Sequence, residues 1–131
     1  MKKLPAYSLQ ELLIVLVIIG VLLLLALPNL LPLISKTKSL EAQTQLNHIY
    51  MLEKQYFYQH SKYTNDLSAL DFEAPLTVKK GGNSNYEYQV ITATHNVFKA
   101  EARAVTDFDG DGTYNIWEID HTKKLKEKVK D

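Results

Sequence analysis

Between residues 107 and 118 the chain sets oxygen donors at alternate positions: Asp107, Asp109, Asp111 and Thr113, followed by Glu118. With Gly112 they spell D-x-D-x-D-G, five residues and a glutamate, the spacing of a twelve-residue loop that wraps a calcium ion. Three carboxylates within five residues repel one another unless a hard cation gathers them, and residues 107 to 120 hold five acids and no base. The expected ligands are the side chains of Asp107, Asp109 and Asp111, the backbone carbonyl of Thr113, and Glu118. If strand geometry carries Glu118 away, Asn115 or water takes its place. The competing reading is a solvated Asp-Gly turn.

The second residue with chemical consequence is Glu11, at the start of an otherwise apolar run. Residues 12 to 35 carry no charge over 24 positions, so the segment as a helix spans roughly 36 Å against a hydrocarbon core of about 30 Å. It is long enough to cross a bilayer. A secretory signal peptide fits less well, since its apolar region runs about 7 to 15 residues and ends in a small-x-small site. Lys2 and Lys3 before the segment match Lys36 and Lys38 after it, so charge does not orient it. Glu11 either sits at the water interface, where a helix N-terminus favours an anion, or needs a cationic partner within the apolar layer.

The residues Lys2-Lys3-Leu4-Pro5-Ala6, then Tyr7-Ser8-Leu9-Gln10-Glu11-Leu12, resemble the class III signal of type IV pilins and type II secretion pseudopilins. That signal has a short basic leader, a small residue at the cut, an aromatic next and a glutamate fifth in the mature chain. Glu11 is fifth from Tyr7, and Gly20 and Pro28 fall where pilin helices carry a glycine and a kinking proline. Two positions depart from the pattern: Ala6 stands where glycine is usual, and Gln10 where an apolar residue is usual.

The resemblance implies an α+β fold in which a long helix, about residues 7 to 60, packs against a small antiparallel sheet of three or four strands. It implies cleavage after Ala6 by a prepilin peptidase, N-methylation of Tyr7, and storage in the inner membrane with the C-terminal domain in the periplasm. An assembly platform and minor pseudopilins then build a helical homopolymer whose N-terminal helices bundle in its core. There Glu11 would pair with the terminal amine of a neighbouring subunit, which offsets the cost of a carboxylate among apolar helices. The implied organisation is a leader at 1–6, a membrane and filament-core helix at 7–35, an amphipathic helix at 36–60 and a β domain at 61–131. Pro28 and Pro32 lack donors, so the helix should kink or melt near residues 24 to 32.

At 100° per residue, Ala42, Leu46, Ile49, Tyr50, Tyr56 and Phe57 share one stripe with Glu53 and His60, while Met51 points almost opposite. The stretch Tyr63 to Phe72 is similar to the Y-x-x-x-L-x-x-L segment that follows the helix in many pilins and should pin a loop or short helix to the domain. Tyr86, Tyr88 and Val90 then alternate with polar residues, as do Phe98, Ala100, Ala102 and Ala104, which gives a hairpin turning near His95-Asn96. Tyr114 to Asp120 reads as a third strand. Residues 124 to 129 are a fourth strand or a helical or frayed tail.

Fifteen bases balance fifteen acids, which argues against a general nucleic-acid binder, and none is expected as a partner. The absence of cysteine excludes disulfides and thiolate metal sites. Four dispersed histidines and no phosphate loop leave no catalytic constellation, so the chain reads as a non-enzyme. The leading functional reading is a filament subunit, foremost the major pseudopilin that drives protein export. A type IV pilin for adhesion, motility or DNA uptake and a monomeric, membrane-anchored calcium-binding domain are the alternatives. A domain of about 71 residues is near the size at which a single core is marginal, so a cation would serve as its staple.

Overall fold

A computed structural model describes residues 8–26 and 30–131. The chain divides into two compact units, Met1–Leu33 and Ile34–Asp131. In the first, α1 spans Leu9–Ala26, and each of its side chains is exposed. A helix of 18 residues with Glu11 as its one charge is long and apolar enough to cross a membrane. Pro28, where the kink is expected, lies outside the described residues. Pro32 lies within α2 (Leu30–His60).

In the second unit the buried stripe of α2 runs through Ala42, Leu46, Ile49 and Glu53, all fully buried. Tyr50, Tyr56 and Phe57 are half-buried at its margins, His60 is exposed, and Met51 faces solvent. The sheet is an antiparallel meander, β1 (Tyr86–Ala93), β2 (Phe98–Ala104), β3 (Ile116–Asp120) and β4 (Leu125–Val129), in spatial order β1-β2-β3-β4. Period-two alternation sends Tyr86, Tyr88, Phe98, Ala100, Ala102, Ala104 and Ile119 into one core with the α2 stripe. Alanine is a poor strand former, so its repetition along β2 marks the line where small side chains are packed against the helix. Of residues 124 to 129, Leu125–Val129 form a strand.

The β1–β2 turn closes where Thr94 Oγ1 accepts the amides of Asn96 (3.3 Å) and Val97 (3.1 Å). The connection from α2 is fastened by aromatic packing: Tyr63 stacks on Phe57 and meets Phe98, both at 4.9 Å between centroids. Its amide donates to Thr94 O (3.0 Å), and a 3-10 turn at Leu67–Leu70, capped by Asp66, delivers Leu70 and Phe72 to the core. Glu41 on α2 accepts from Ser84 Oγ (2.5 Å) and from the Asn85 amide (3.2 Å), fixing the entry to β1.

Glu53 is the exception in the apolar stripe. Its Oε2 accepts the Thr64 amide (3.2 Å), while Oε1 is buried with no hydrogen-bond partner among the described residues. Burial pushes its carboxyl up to about 7, against the smaller pull of the Thr64 amide. Because the folded chain holds this proton more tightly than the unfolded chain, stability is highest below the unfolded value and falls as pH rises from about 4.5 to about 7. The shift corresponds to a loss of roughly 3 kcal/mol. Denaturant unfolding of the full chain in detergent, at about pH 5 and about pH 8, should show a steeper decline in the wild type than in Glu53→Gln.

Candidate functional site

The β2–β3 connection folds around its own aspartates. Asp107 accepts the amides of Gly110 (2.9 Å) and Gly112, Asp109 accepts that of Asp111 (3.0 Å), and Asp111 that of Thr113 (2.8 Å). Gly110 and Gly112 take φ of 79° and 87°, the left-handed region that lets the loop reverse twice within four residues. Phe108 anchors it: its ring meets Tyr86 edge-on at 5.9 Å, and Lys38 Nζ lies 4.7 Å above it.

A fourth carboxylate arrives from beyond β4. Carboxylate oxygens of Asp107, Asp109, Asp111 and Asp131 all lie within 4.8 Å of one another. Asp131 Oδ2 accepts the Phe108 amide (2.8 Å), and its backbone oxygen accepts from Ser35 Oγ of α2 (3.3 Å). The crowding marks both ends of the cluster. Burial opposes ionisation of Asp107, but the Gly112 and Gly110 amides outweigh it and hold its carboxyl below the usual range. For Asp109 the Asp111 amide favours the anion, yet burial and the carboxyls of Asp131, Asp111 and Asp107 together push it up to about 6.

Glu118 and Asn115 stand apart from this cluster, which corrects the expectation that one of them closes the loop. Strand alternation turns Glu118 to the sheet face opposite the core, where Oε1 lies 3.5 Å from Lys99 and 3.7 Å from Lys126, and Oε2 3.8 Å from Lys128. Asn115 is fully buried and points inward, accepting from Tyr86 Oη (2.6 Å) and donating to Glu127 (2.7 Å) and Val129 O (3.0 Å). Thr113 remains in the loop. Asp131 could be anticipated only from pairing: Ile116 opposes Val129, so the antiparallel ladder brings residues beyond 129 back beside those before 116.

On α1, Glu11 forms a reciprocal cap with Ser8. The Ser8 amide donates to Glu11 Oε2 and the Glu11 amide to Ser8 Oγ, both at 3.2 Å. S-x-x-E is a capping box, a pattern legible in Ser8-Leu9-Gln10-Glu11 that a reading of Glu11 by charge alone passes over. A side chain at Gly20 would meet nothing within 4 Å. Ala6, Tyr7 and Pro28 lie outside the described residues.

No family model matches the chain. Over 87 residues it is 34% identical to the type IV major pilin protein PilA of Myxococcus xanthus strain DK1622, a span of 66% of this chain. Over that span the chain is similar to a type IV pilin. The match spans 37% of the relative's own length, little more than a third. An apolar helix that begins at a capped glutamate, followed by a helix laid on a four-stranded meander, is the arrangement expected of a pilin.

Glu118 has a structural role. Glu101 and Glu118 oppose each other directly across β2 and β3 and are 2% and 4% exposed, a like-charge pair that costs stability unless neutralised. Lys128, the extra residue of a bulge in β4, reaches both carboxylates, at 3.4 and 3.8 Å. Lys128→Ala should lower stability by about 1–2 kcal/mol, less than for a fully buried pair because the lysine is half exposed. Adding Glu118→Gln should recover part of that loss. Urea midpoints of the three proteins, at constant slope, make the comparison.

Proposed function

We propose that this chain is a pilin, the structural subunit of a helical, pilus-like filament. The observation that carries the reading is α1: an 18-residue apolar helix, exposed throughout, with its one charge in the first turn, attached to a separately compact sheet domain. A surface of that kind has to be covered by lipid, by copies of itself, or by each in turn. On this reading α1 holds the subunit in the inner membrane with the sheet domain in the periplasm, then packs between neighbours in the filament. A prepilin peptidase cuts after Ala6, Tyr7 is N-methylated, and Glu11 receives the new ammonium group of the adjacent subunit. Gly20 and Pro28 give the helix the local freedom to pack.

Two finer readings have support. A major pseudopilin of a type II secretion system, acting with an assembly platform and minor pseudopilins, is supported by the small cysteine-free domain and its acidic loop. A type IV pilus subunit is supported by the relative's description as a type IV major pilin. Deleting the gene separates them: secreted enzymes trapped in the periplasm mark the first, loss of surface pili with normal secretion the second.

Calcium is the proposed cofactor. Ligand oxygens 2.3–2.6 Å from one calcium ion lie at most about 5 Å apart, and the four carboxylates meet that limit at 4.8 Å. Asp107, Asp109, Asp111 and Asp131 would hold the ion, with the Thr113 carbonyl completing the loop side. The bound ion would tie the β2–β3 connection to the end of β4, a staple for a small domain that has no disulfide.

Two measurements test these assignments. Because Gln preserves a capping box, Glu11→Gln isolates the charge from the cap; it should abolish filaments sheared from cells while leaving the melting of the sheet domain unchanged. Normal filament yield would remove the proposed pairing. Chelation should lower the melting temperature of the full chain by on the order of 10 °C, as loss of roughly 2–3 kcal/mol of ligand stabilisation implies. Asp131→Asn should weaken that calcium response and Glu118→Gln should not.

A further inference from the structure

Among the described residues of α2, Glu53 is the one fully buried acid, and it holds the root of the segment that follows the helix. That root is fastened at three points: the Thr64 amide on Glu53 Oε2, the Tyr63 amide on Thr94 O, and the Tyr63 hydroxyl, which accepts from Lys54 Nζ at 3.0 Å. Two non-glycine residues in the left-handed region bound the segment, Ser61 (φ 57°) and Asp71 (φ 56°). Such conformations are sparsely populated and turn the chain sharply at one residue, so both positions can serve as pivots.

Open space borders this root. A cavity of about 300 Å³ has Lys62, Thr64 and Asn65 of the segment, Thr94 and His95 of the β1–β2 turn and Tyr56 of α2 in its lining, room for several waters at about 30 Å³ each. Thr64 belongs to this lining and donates to Glu53, so the buried carboxyl is one hydrogen bond from a residue that water reaches. Its Oε1 is nevertheless buried with no partner among the described residues. An ionised carboxylate accepts at about four sites, and one amide does not replace the water that burial removes. The charged and titratable groups on the elements around it are Lys54 and His60 of α2, Lys62 and Asp66 of the segment, His95 of the β1–β2 turn, and His121 and Lys123 of the β3–β4 turn. None of them is a cause of the raised carboxyl, which burial produces against the pull of the Thr64 amide.

We propose that Glu53 is the latch of a pH-operated strap: with a neutral carboxyl residues 62–70 stay closed on α2, and with an ionised carboxyl their root lifts so that water reaches the charge. The open form takes Tyr63 off Phe57 and Phe98, ring contacts of 4.9 Å in the closed form, and bares their apolar faces. The strap lies outside the sheet ladders, so it can open while the strands stay paired. Because the closed form binds the Glu53 proton more tightly than the open form, the opening constant rises as pH goes from about 4.5 to about 7 and levels off above. Each unit of difference is tenfold, so the rise between about pH 5 and about pH 8 is on the order of 50-fold.

Amide hydrogen exchange of the full chain in detergent, read residue by residue and divided by the intrinsic rate at each pH, tests the strap. The Tyr63 and Thr64 amides should lose protection by on the order of 50-fold between about pH 5 and about pH 8, while the paired amides of β2 stay more strongly protected at both. In Glu53→Gln the loss should shrink to a few-fold, and Glu53→Met repeats the comparison without a side-chain amide. An undiminished loss in either folded variant, or Tyr63 and Thr64 exchange that merely tracks the β2 amides, would overturn the strap. Failure of both variants to fold would overturn it as well, because a neutral side chain at position 53 is what the closed form requires.

Discussion

In residues 34 to 131 one helical stripe has to be covered by one sheet face, and most other features serve that contact. Ala42, Leu46 and Ile49 present a narrow apolar line, and β2 answers with Ala100, Ala102 and Ala104 flanked by the larger Phe98 and Ile119. The rings of Tyr63, Phe72, Tyr86 and Tyr88 fill the space around this line. Each missing or added methylene on that line would be felt, because neither side has a flexible chain to absorb it.

Charge is handled in four distinct ways around this core. Glu41 is spent on the loop entering β1, Glu53 is buried with one backbone donor, Glu101 and Glu118 are neutralised by long cations, and the aspartates of the β2–β3 loop are held by their own backbone. These solutions differ in how they respond to conditions. The half-exposed lysines are open to screening by salt, the buried glutamate responds to pH, and crowding raises Asp109 to about 6, so the aspartate loop responds to pH in a range of its own. A composition of equal acids and bases conceals all three sensitivities.

The sequence was most readable where a period repeats. The alternation of Tyr86, Tyr88 and Val90, and of Phe98 with three alanines, placed two strands and their turn correctly, and helical spacing found Ala42, Leu46 and Ile49. Motif spacing carried less. The calcium-loop pattern located three aspartates that do converge, but its last position assumes a following helix, and a strand turns Glu118 the other way. Asp131 was illegible because its place depends on the register of β4, and a bulge at Lys128 sets that register. Ser8 was missed for a different reason: its role needs only local geometry, and the charge of Glu11 drew the reading elsewhere.

The meander has a kinetic implication. Each strand pairs with the one before it, so every step of sheet formation closes a short loop, the kind of topology that forms quickly. Three of the four clustered carboxylates are present once β2 and β3 are joined, but the fourth arrives only when β4 has zipped along β3. The complete cluster therefore requires every strand of the meander to be paired, and its presence separates a finished domain from one whose final strand is still loose.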